Sequence, residues 1–319
     1  METKNNKRLL ATLAKKYGTL LAFVVICAYF SIATDVFLTP SNILTVLRQI
    51  SMLSILGAGL TVVMITGRID LSIGFGASIL GVMAAALMVD FGMPIWLAAV
   101  LTLLGGVLIG LLNGFFVAYV GIPDFICTLA TGYLISGLNQ AYTKGHPISG
   151  LPDGFKIFGN TDWFGIPSMI FIMAFWLLII WVVLSKTRFG RHTYAIGGNK
   201  EAALMSGVDV KFNSMLGFVF CGIGMALTAL VMTSRMGSAH VTAGDAYQLQ
   251  AIATVYLGAT AFKEGEPNLL GTVLGALILG VLKNGMTLMN IPYYYQDIAQ
   301  GLVILIAVAI TSLQRARKK

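Results

Sequence analysis

Apolar stretches of about bilayer-crossing length follow one another along this chain, from Tyr17 almost to its C-terminus. An α-helix needs roughly 20 predominantly apolar residues to cross the hydrocarbon core of a bilayer. Ten segments meet that requirement, at about 17–37, 42–66, 71–89, 95–119, 124–141, 164–185, 212–234, 246–262, 268–288 and 296–313. The weakest is 246–262, with Gln248 and Gln250 near its start; it either lines something wet or enters the membrane late. A transmembrane β-barrel would alternate apolar and polar residues over segments of about ten, and that alternation is missing. Charged residues make up 11% of the chain and hydrophobic ones 57%, whereas soluble domains carry about 25% charged residues. The fold class is an all-α polytopic membrane protein of about ten transmembrane helices.

The basic residues write a topology. Lys4, Lys7, Arg8, Lys15 and Lys16 precede the first span, and Arg315, Arg317, Lys318 and Lys319 follow the last. The predicted outer connections hold only Lys144, Lys156 and Arg235. Lys and Arg accumulate on the cytoplasmic side of membrane proteins, so both termini are expected there. Ser31-Ile32-Ala33 resembles a signal cleavage site, but the spans that follow favour an uncleaved first helix. The net charge of +8 follows this topology and forms no basic stripe interleaved with aromatics, so nucleic acid is not an expected partner. Cys27, Cys127 and Cys221 lie inside apolar runs, and the three His residues are scattered. No metal site is indicated.

The longest polar interruption is Lys186–Lys211 (residues 186–211), which carries Lys186, Arg188, Arg191, Lys200 and Lys211 against Glu201 and Asp209. That charge places it in the cytoplasm. Asn199 is suited to cap a short helix through Glu201, Ala202, Ala203, Leu204 and Met205, with Gly207 ending it. Two readings stand: a docking element for another protein, or an interfacial helix pinned to acidic headgroups.

The second span opens at Ser41-Asn42 after Pro40, a good helix start. It ends in Gly67-Arg68-Ile69-Asp70-Leu71-Ser72-Ile73-Gly74, where two opposite charges lie between apolar helices. Ions at membrane depth are costly. Asp70 as the N-cap of the next helix, with Arg68 reaching headgroups, accounts for both; the alternative is a motif that lines or gates an aqueous path. Gly106, Gly110 and Gly114 share one face of the fourth span, and Gly271 and Gly275 share one in the ninth. Such ridges let helices approach closely in lipid. Gly76–Met83 and Gly275–Leu282 share six of eight residues, too short a match to establish the internal repeat many transporters contain. Outside, residues 142–163 form a Gly- and Pro-rich loop, and Arg235–Asp245 a shorter one. Lys283 can snorkel, but Asn284 cannot and needs a helix or ligand partner. Arg48 poses the same question.

No P-loop, His-Glu-x-x-His or Gly-x-Ser-x-Gly motif occurs. Every Asp and Glu sits at the end of a predicted span or in a loop, whereas ion-coupled carriers commonly hold a carboxylate at mid-membrane. Catalytic residues are not expected, and uphill transport would draw its energy from another chain.

Gly67–Gly74 (GRIDLSIG) resembles the Gly-Gly-Ile-Asp-Leu-Ser-Val-Gly motif of the permease subunits of ribose/xylose-type ABC sugar importers. Gly190–Val208 (GRHTYAIGGNKEAALMSGV) is similar to their Gly-Arg-x-x-Tyr-Ala-Ile-Gly-Gly-Asn loop and its Ala-Ala-x-x-Ser-Gly-Ile continuation. Asn284-Gly285 with Tyr293–Leu302 (YYYQDIAQGL) resembles their closing Asn-Gly and Gln-x-x-x-x-Gly elements. The similarity runs in order over nearly the whole chain. It implies one transmembrane permease domain over residues 1–319, with a fold like that of the vitamin B12-type (type II) importers, in a bacterial cytoplasmic membrane. It implies an ABC ATP-binding subunit inside, which binds the ATP, so that this chain needs no cofactor and is no enzyme. A sugar-binding protein outside would deliver a ribose-type monosaccharide, and a second permease copy or paralogue would complete the path. The ATPase-coupling helix would map to Gly197, Asn199, Glu201, Ala202, Ala203 and Gly207. In the path that such a permease provides, Gln49, Asp70, Ser72 and Asn284 are the candidate lining residues. Arg68 departs from the family's second Gly, and Lys263-Glu264-Gly265-Glu266-Pro267 stands where members often carry a Gly-rich turn. The competing class is a stand-alone secondary sugar transporter or facilitator; a membrane-embedded enzyme lacks its catalytic residues.

Overall fold

The computed structural model describes residues 2–262 and 265–316, with side chains described from Gly18 to Ala309. Lys263 and Glu264 of the unusual turn, and the terminal Arg317, Lys318 and Lys319, lie outside the described residues. Helices occupy all ten of the apolar segments. Five are long and apolar enough to cross a membrane: α2 (Pro40–Ile65), α4 (Ile95–Phe115) with its π-helical extension Phe116–Val120, α6 (Ser168–Lys186), α9 (Val210–Met236) and α11 (Leu269–Leu288). The others are α1 (Glu2–Ala33), α3 (Ile73–Val89), α5 (Asp124–Thr143), α10 (Asp245–Ala259) and α12 (Tyr293–Ala316). Two further helices, α7 (Arg188–Gly198) and α8 (Lys200–Met205), lie between α6 and α9.

Local chemistry sets the boundaries. Pro40 opens α2, where a missing N–H costs nothing, and the Asn42 amide donates to the Thr39 hydroxyl at 3.4 Å. Pro94, Pro123 and Pro167 immediately precede α4, α5 and α6. Asp209 accepts from the Phe212 amide to cap α9, and Asn268 from the Gly271 amide to cap α11. Gly237 ends α9 at φ +68°, a conformation glycine adopts without steric cost.

The chain folds as two compact units, one from residues up to Ile50 together with those from Ile252 onward, the other Ser51–Ala251. In the larger unit α9 is central and packs on α3 and α4. The Gly106–Gly110–Gly114 ridge lies against it, facing Gly222, Phe218 and Met215 in turn. A Cβ on Gly110 would stand 2.7 Å from the Val219 Cα, and one on Gly114 2.8 Å from the Met215 Cα. The backbones therefore touch, which is how helices gain packing energy where lipid removes the hydrophobic drive. In the smaller unit Gly271 and Gly275 of α11 pack on Gly258 and Thr254 of α10, and Gly285 on the Phe30 ring of α1. Both ridges read from the sequence are places where helices meet.

The connection 144–167 is more structured than its composition suggests. β1 (Ile148–Ser149) pairs antiparallel with β4 (Ser238–Ala239), tying together the loops that follow α5 and α9. A 3-10 turn over Asp153–Phe158 buries Phe155, whose carbonyl accepts from the Ser234 hydroxyl at 2.8 Å. β2 (Asp162–Trp163) and β3 (Ile166–Pro167) form a small hairpin before α6. Asp153 and Lys156 pair at 2.7 Å on the surface, and that hydrogen bond, more than the charge itself, holds the Asp153 carboxyl below its usual range.

Candidate functional site

The polar segment 186–211 folds as two helices at a sharp corner. Thr187 caps α7 by accepting from the Gly190 amide at 3.2 Å. Asn199 is the corner, and its side chain accepts from the Ala202 amide at 2.9 Å to start α8. Gly207, at φ +79°, stops it, and the Val208 amide returns to the Ala203 carbonyl at 3.1 Å. Ile196, Ala203, Val208 and Val210 form one small apolar cluster that fastens both helices to the start of α9. Lys200, Glu201, Ala202, Leu204 and Met205 are left facing outward, Met205 88% exposed. The sequence reading of α8 matches its observed limits. Gly197 is a correction: it belongs to α7, not to the short helix. A Cβ there would collide with the carbonyl of Ile65 at the end of α2. Helix α7 went unread because Gly190, Gly197 and Gly198 argue against a helix, although Gly190, Thr193 and Ile196 recur on its buried face.

The connection from Thr66 to Ser72 is held from several sides. Asp70 does not cap α3, as the sequence suggested; Ser72 occupies the cap position. Asp70 Oδ1 instead accepts from the Ser72 amide at 2.8 Å and the Ser72 hydroxyl at 2.6 Å. The Ser72 hydroxyl in turn accepts from Asn113 Nδ2 at 2.8 Å. Asp70, Ser72 and Asn113 are all fully buried; Asn113 Oδ1 has no hydrogen-bond partner, and the Cys221 thiol of α9 lies beside the Asp70 carboxylate. On either side, the Ile69 amide donates to Asp124 at 2.6 Å and the Leu71 amide to Thr128 at 2.9 Å. Arg68 is a third correction: it turns inward, half-buried, and its guanidinium donates to the Val117 carbonyl of the π-helical segment at 3.4 Å. That carbonyl is free to accept because a π-helix shifts the local bonding pattern. Sequence reasoning missed Asn113, Asp124 and Thr128, since each meets the connection from a distant helix. One local signal existed, an acidic residue directly after Pro123.

In the smaller unit Asn284, 3% exposed, forms a reciprocal amide pair with Asn42 of α2, at 2.8 and 3.0 Å. The Asn42 amide group also donates to the Phe37 carbonyl at 2.8 Å. Gln49, about two turns further along α2, keeps Oε1 buried and unpartnered. Among the described residues no three of His, Cys, Asp or Glu come together as metal ligands.

Successive apolar helices joined by close glycine packing and buried amide pairs define a polytopic helical membrane protein. The chain belongs to the permease family described as the branched-chain amino acid transport system / permease component, whose model matches residues 42–308. It is 39% identical to the ribose import permease protein RbsC of Bacillus subtilis (strain 168), covering 93% of this chain and 92% of that one. It is 34% identical to the D-allose transport system permease protein AlsC of Escherichia coli (strain K12), over 93% and 92%. The galactose/methyl galactoside import permease protein MglC of the same strain is 33% identical over 98% and 99%. A solved structure, PsaBC from Streptococcus pneumoniae in complex with Fab, matches at TM-score 0.42 and 16% identity over 90% of this chain and 94% of that one, too distant to decide the fold.

Proposed function

We propose that this chain is the membrane subunit of an ATP-driven ABC importer and forms the path for a monosaccharide, a ribose-type pentose or a related sugar. The family description speaks of branched-chain amino acids, while the relatives that match nearly end to end are sugar permeases; full-length similarity is the narrower guide. The observation that carries the reading is α8. A six-residue helix, capped at both ends and clamped to α9, presents charged and apolar side chains away from its own bundle. An isolated helix that short is unstable in water, so its exposure suits docking on another protein.

In this reading residues 1–319 make one permease domain of ten crossings, built like a vitamin B12-type importer, with both termini in the cytoplasm. Residues 186–211 form the coupling loop, and 142–163 face outward toward a solute-binding protein. A separate subunit hydrolyses ATP, so this chain is not an enzyme. When the two nucleotide-binding domains close, α8 and its counterpart in a second permease are drawn together. The bundles then rock between outward and inward access. Of the four candidates for the path, Gln49 offers an unpartnered oxygen, while Asp70, Ser72 and Asn284 act by holding their neighbours.

The test is uptake of labelled pentoses and hexoses into vesicles containing this chain, with ATP, the ATPase subunit and the binding protein added singly and together. Uptake that needs all of them supports the importer. Uptake by the chain alone that collapses with an ionophore overturns it in favour of a secondary carrier. Glu201→Arg addresses α8: ATPase association and transport are both expected to fall, and their survival would remove α8 from the interface.

A further inference from the structure

Between α9 and α10 the chain does something the apolar pattern does not announce. After β4, residues 240–244 run back along α3 without forming a helix. Ala239 packs with Val82 and Ala85 of α3, whereas Gly244 lies against Gly74, Ala77 and Ser78 nearer the other end. At 1.5 Å rise per residue, the difference is roughly 10 Å of depth. Non-helical backbone at such depth persists only where protein buries it or where it lines a water-filled cavity.

One flank is buried. Asn139 of α5, 2% exposed, donates from Nδ2 to the Val241 carbonyl at 2.8 Å. The Gly244 amide donates to the Ser78 hydroxyl at 2.9 Å, and that hydroxyl donates to Asp245 at 2.8 Å. The other flank is a cavity of about 280 Å³ lined by Gln140, Gly145, Pro147, His240, Val241 and Thr242. This lies just below the roughly 300–1,000 Å³ typical of ligand pockets, so its occupant is small. None of the six carries a carboxylate, ammonium or guanidinium, which fits a neutral solute better than an ion. The His240 ring lies 3.1 Å from the Ser238 hydroxyl, and Gln140 donates to Ser136 at 3.3 Å. An imidazole, a carboxamide and a hydroxyl thus line one small space. Each can both donate and accept, as the hydroxyl groups of a sugar do.

We propose that this cavity is a reception subsite for a neutral monosaccharide, with His240, Gln140 and Thr242 binding its hydroxyl groups and Asn139 positioning the unwound backbone. The proposal rests on the importer reading and names where the solute first meets this chain. No phenylalanine, tyrosine or tryptophan lines the cavity to stack on a sugar ring, so binding there is weak and release easy, as a point of passage requires.

The experiment uses the complete importer in vesicles, with labelled D-ribose, D-allose and D-galactose, and reads both uptake and the ATP hydrolysis stimulated by loaded binding protein. His240→Ala and Thr242→Val are each expected to lower sugar uptake about fivefold, the effect of one lost hydrogen bond, with stimulated hydrolysis unchanged. His240→Gln keeps a donor and an acceptor and is expected to recover most of the uptake, which a folding defect would not allow. If uptake and stimulated hydrolysis fall together, the surface meets the binding protein and the subsite is wrong. If wild type imports sugar and the variants match it, the subsite alone is overturned. If wild type imports none of the sugars, the importer reading fails, and the sugar assignment with it.

Discussion

Replacing Asn284 with alanine removes half of a closed amide pair. In the native chain each carboxamide donates once and accepts once across the pair, at 2.8 and 3.0 Å. Truncation leaves Asn42 Oδ1 without its donor in a buried setting, while Asn42 Nδ2 keeps the Phe37 carbonyl. An orphaned buried polar atom costs about 1–3 kcal/mol. Interhelical bonds in membrane proteins average lower, about 0.6 kcal/mol by double-mutant cycle with maxima near 1.7. The expected loss for Asn284→Ala is therefore about 1–2 kcal/mol. Asn42→Ala should cost somewhat more, because it also removes the Phe37 bond. The double variant no longer carries an orphaned carboxamide, although the Phe37 carbonyl still lacks its donor, so its loss should fall short of the sum by about 1 kcal/mol. Equilibrium unfolding in mixed micelles, run on all four proteins, measures that coupling. Additivity within about 0.5 kcal/mol, the behaviour of independent sites, would refute a pair that binds α11 to α2. Transport supplies a second discriminator: an Asn284→Ala protein as stable as wild type but unable to import would make Asn284 a solute contact instead.

The helix packing and the segment 186–211 give three further tests. Gly110→Ala should destabilise by about 1–3 kcal/mol through overpacking against the Val219 Cα, 2.7 Å away; Gly137→Ala, which meets nothing within 4 Å, should be neutral or gain up to about 1 kcal/mol of helix propensity. Gly197→Ala drives a methyl into the Ile65 carbonyl and is expected to lower transport at least tenfold with ATPase association retained, a split visible by co-purification and uptake, while Gly198→Ala, with open space around it, should behave as wild type. Asn199→Ala removes the cap of α8 at a cost of about 1 kcal/mol, expected to weaken ATPase association about fivefold; unchanged association would mean that α8 is held by its cluster alone.

What the sequence made legible was local. Apolar run length located a helix in each of the ten segments, and five of those helices are long and apolar enough to cross a membrane, because crossing fixes length and composition together. Pro40, Asn199 and Gly207 marked real boundaries, since a missing N–H, a capping carboxamide and a left-handed φ act within a few residues. Failures came where one residue answers to another far along the chain. Asp70 looks like a cap until Asn113 and Ser72 are brought to it, and Asn284 looks unpartnered until Asn42 arrives from 242 positions away. Helix α7 hid behind its glycines, which are there because Gly190 and Gly197 press on backbone carbonyls. The descent of residues 240–244 left no pattern, as its support comes from Asn139 and Ser78 on other helices.

Those distant partnerships form a route. Gly197 presses directly on the last carbonyl of α2, and α2 continues into the connection that ends at Ser72. Four hydrogen bonds tie that connection down: Arg68 to Val117, Ile69 to Asp124, Leu71 to Thr128, and Ser72 to Asn113. Their partners all lie on the α4 and α5 stretches that follow one another through Gly121. A displacement of α7 would therefore meet no slack at Ile65 and would bear on α3, α4 and α5 together. Helix α9 adds nothing to that transfer through loose side chains, because the Gly106–Gly110–Gly114 ridge seats it on α4 backbone to backbone. Interdigitated elements with no spare volume switch between discrete arrangements rather than deform gradually. If a partner docks at α8, as proposed above, it needs that rigidity, and the glycines that obscured α7 in the sequence would supply it.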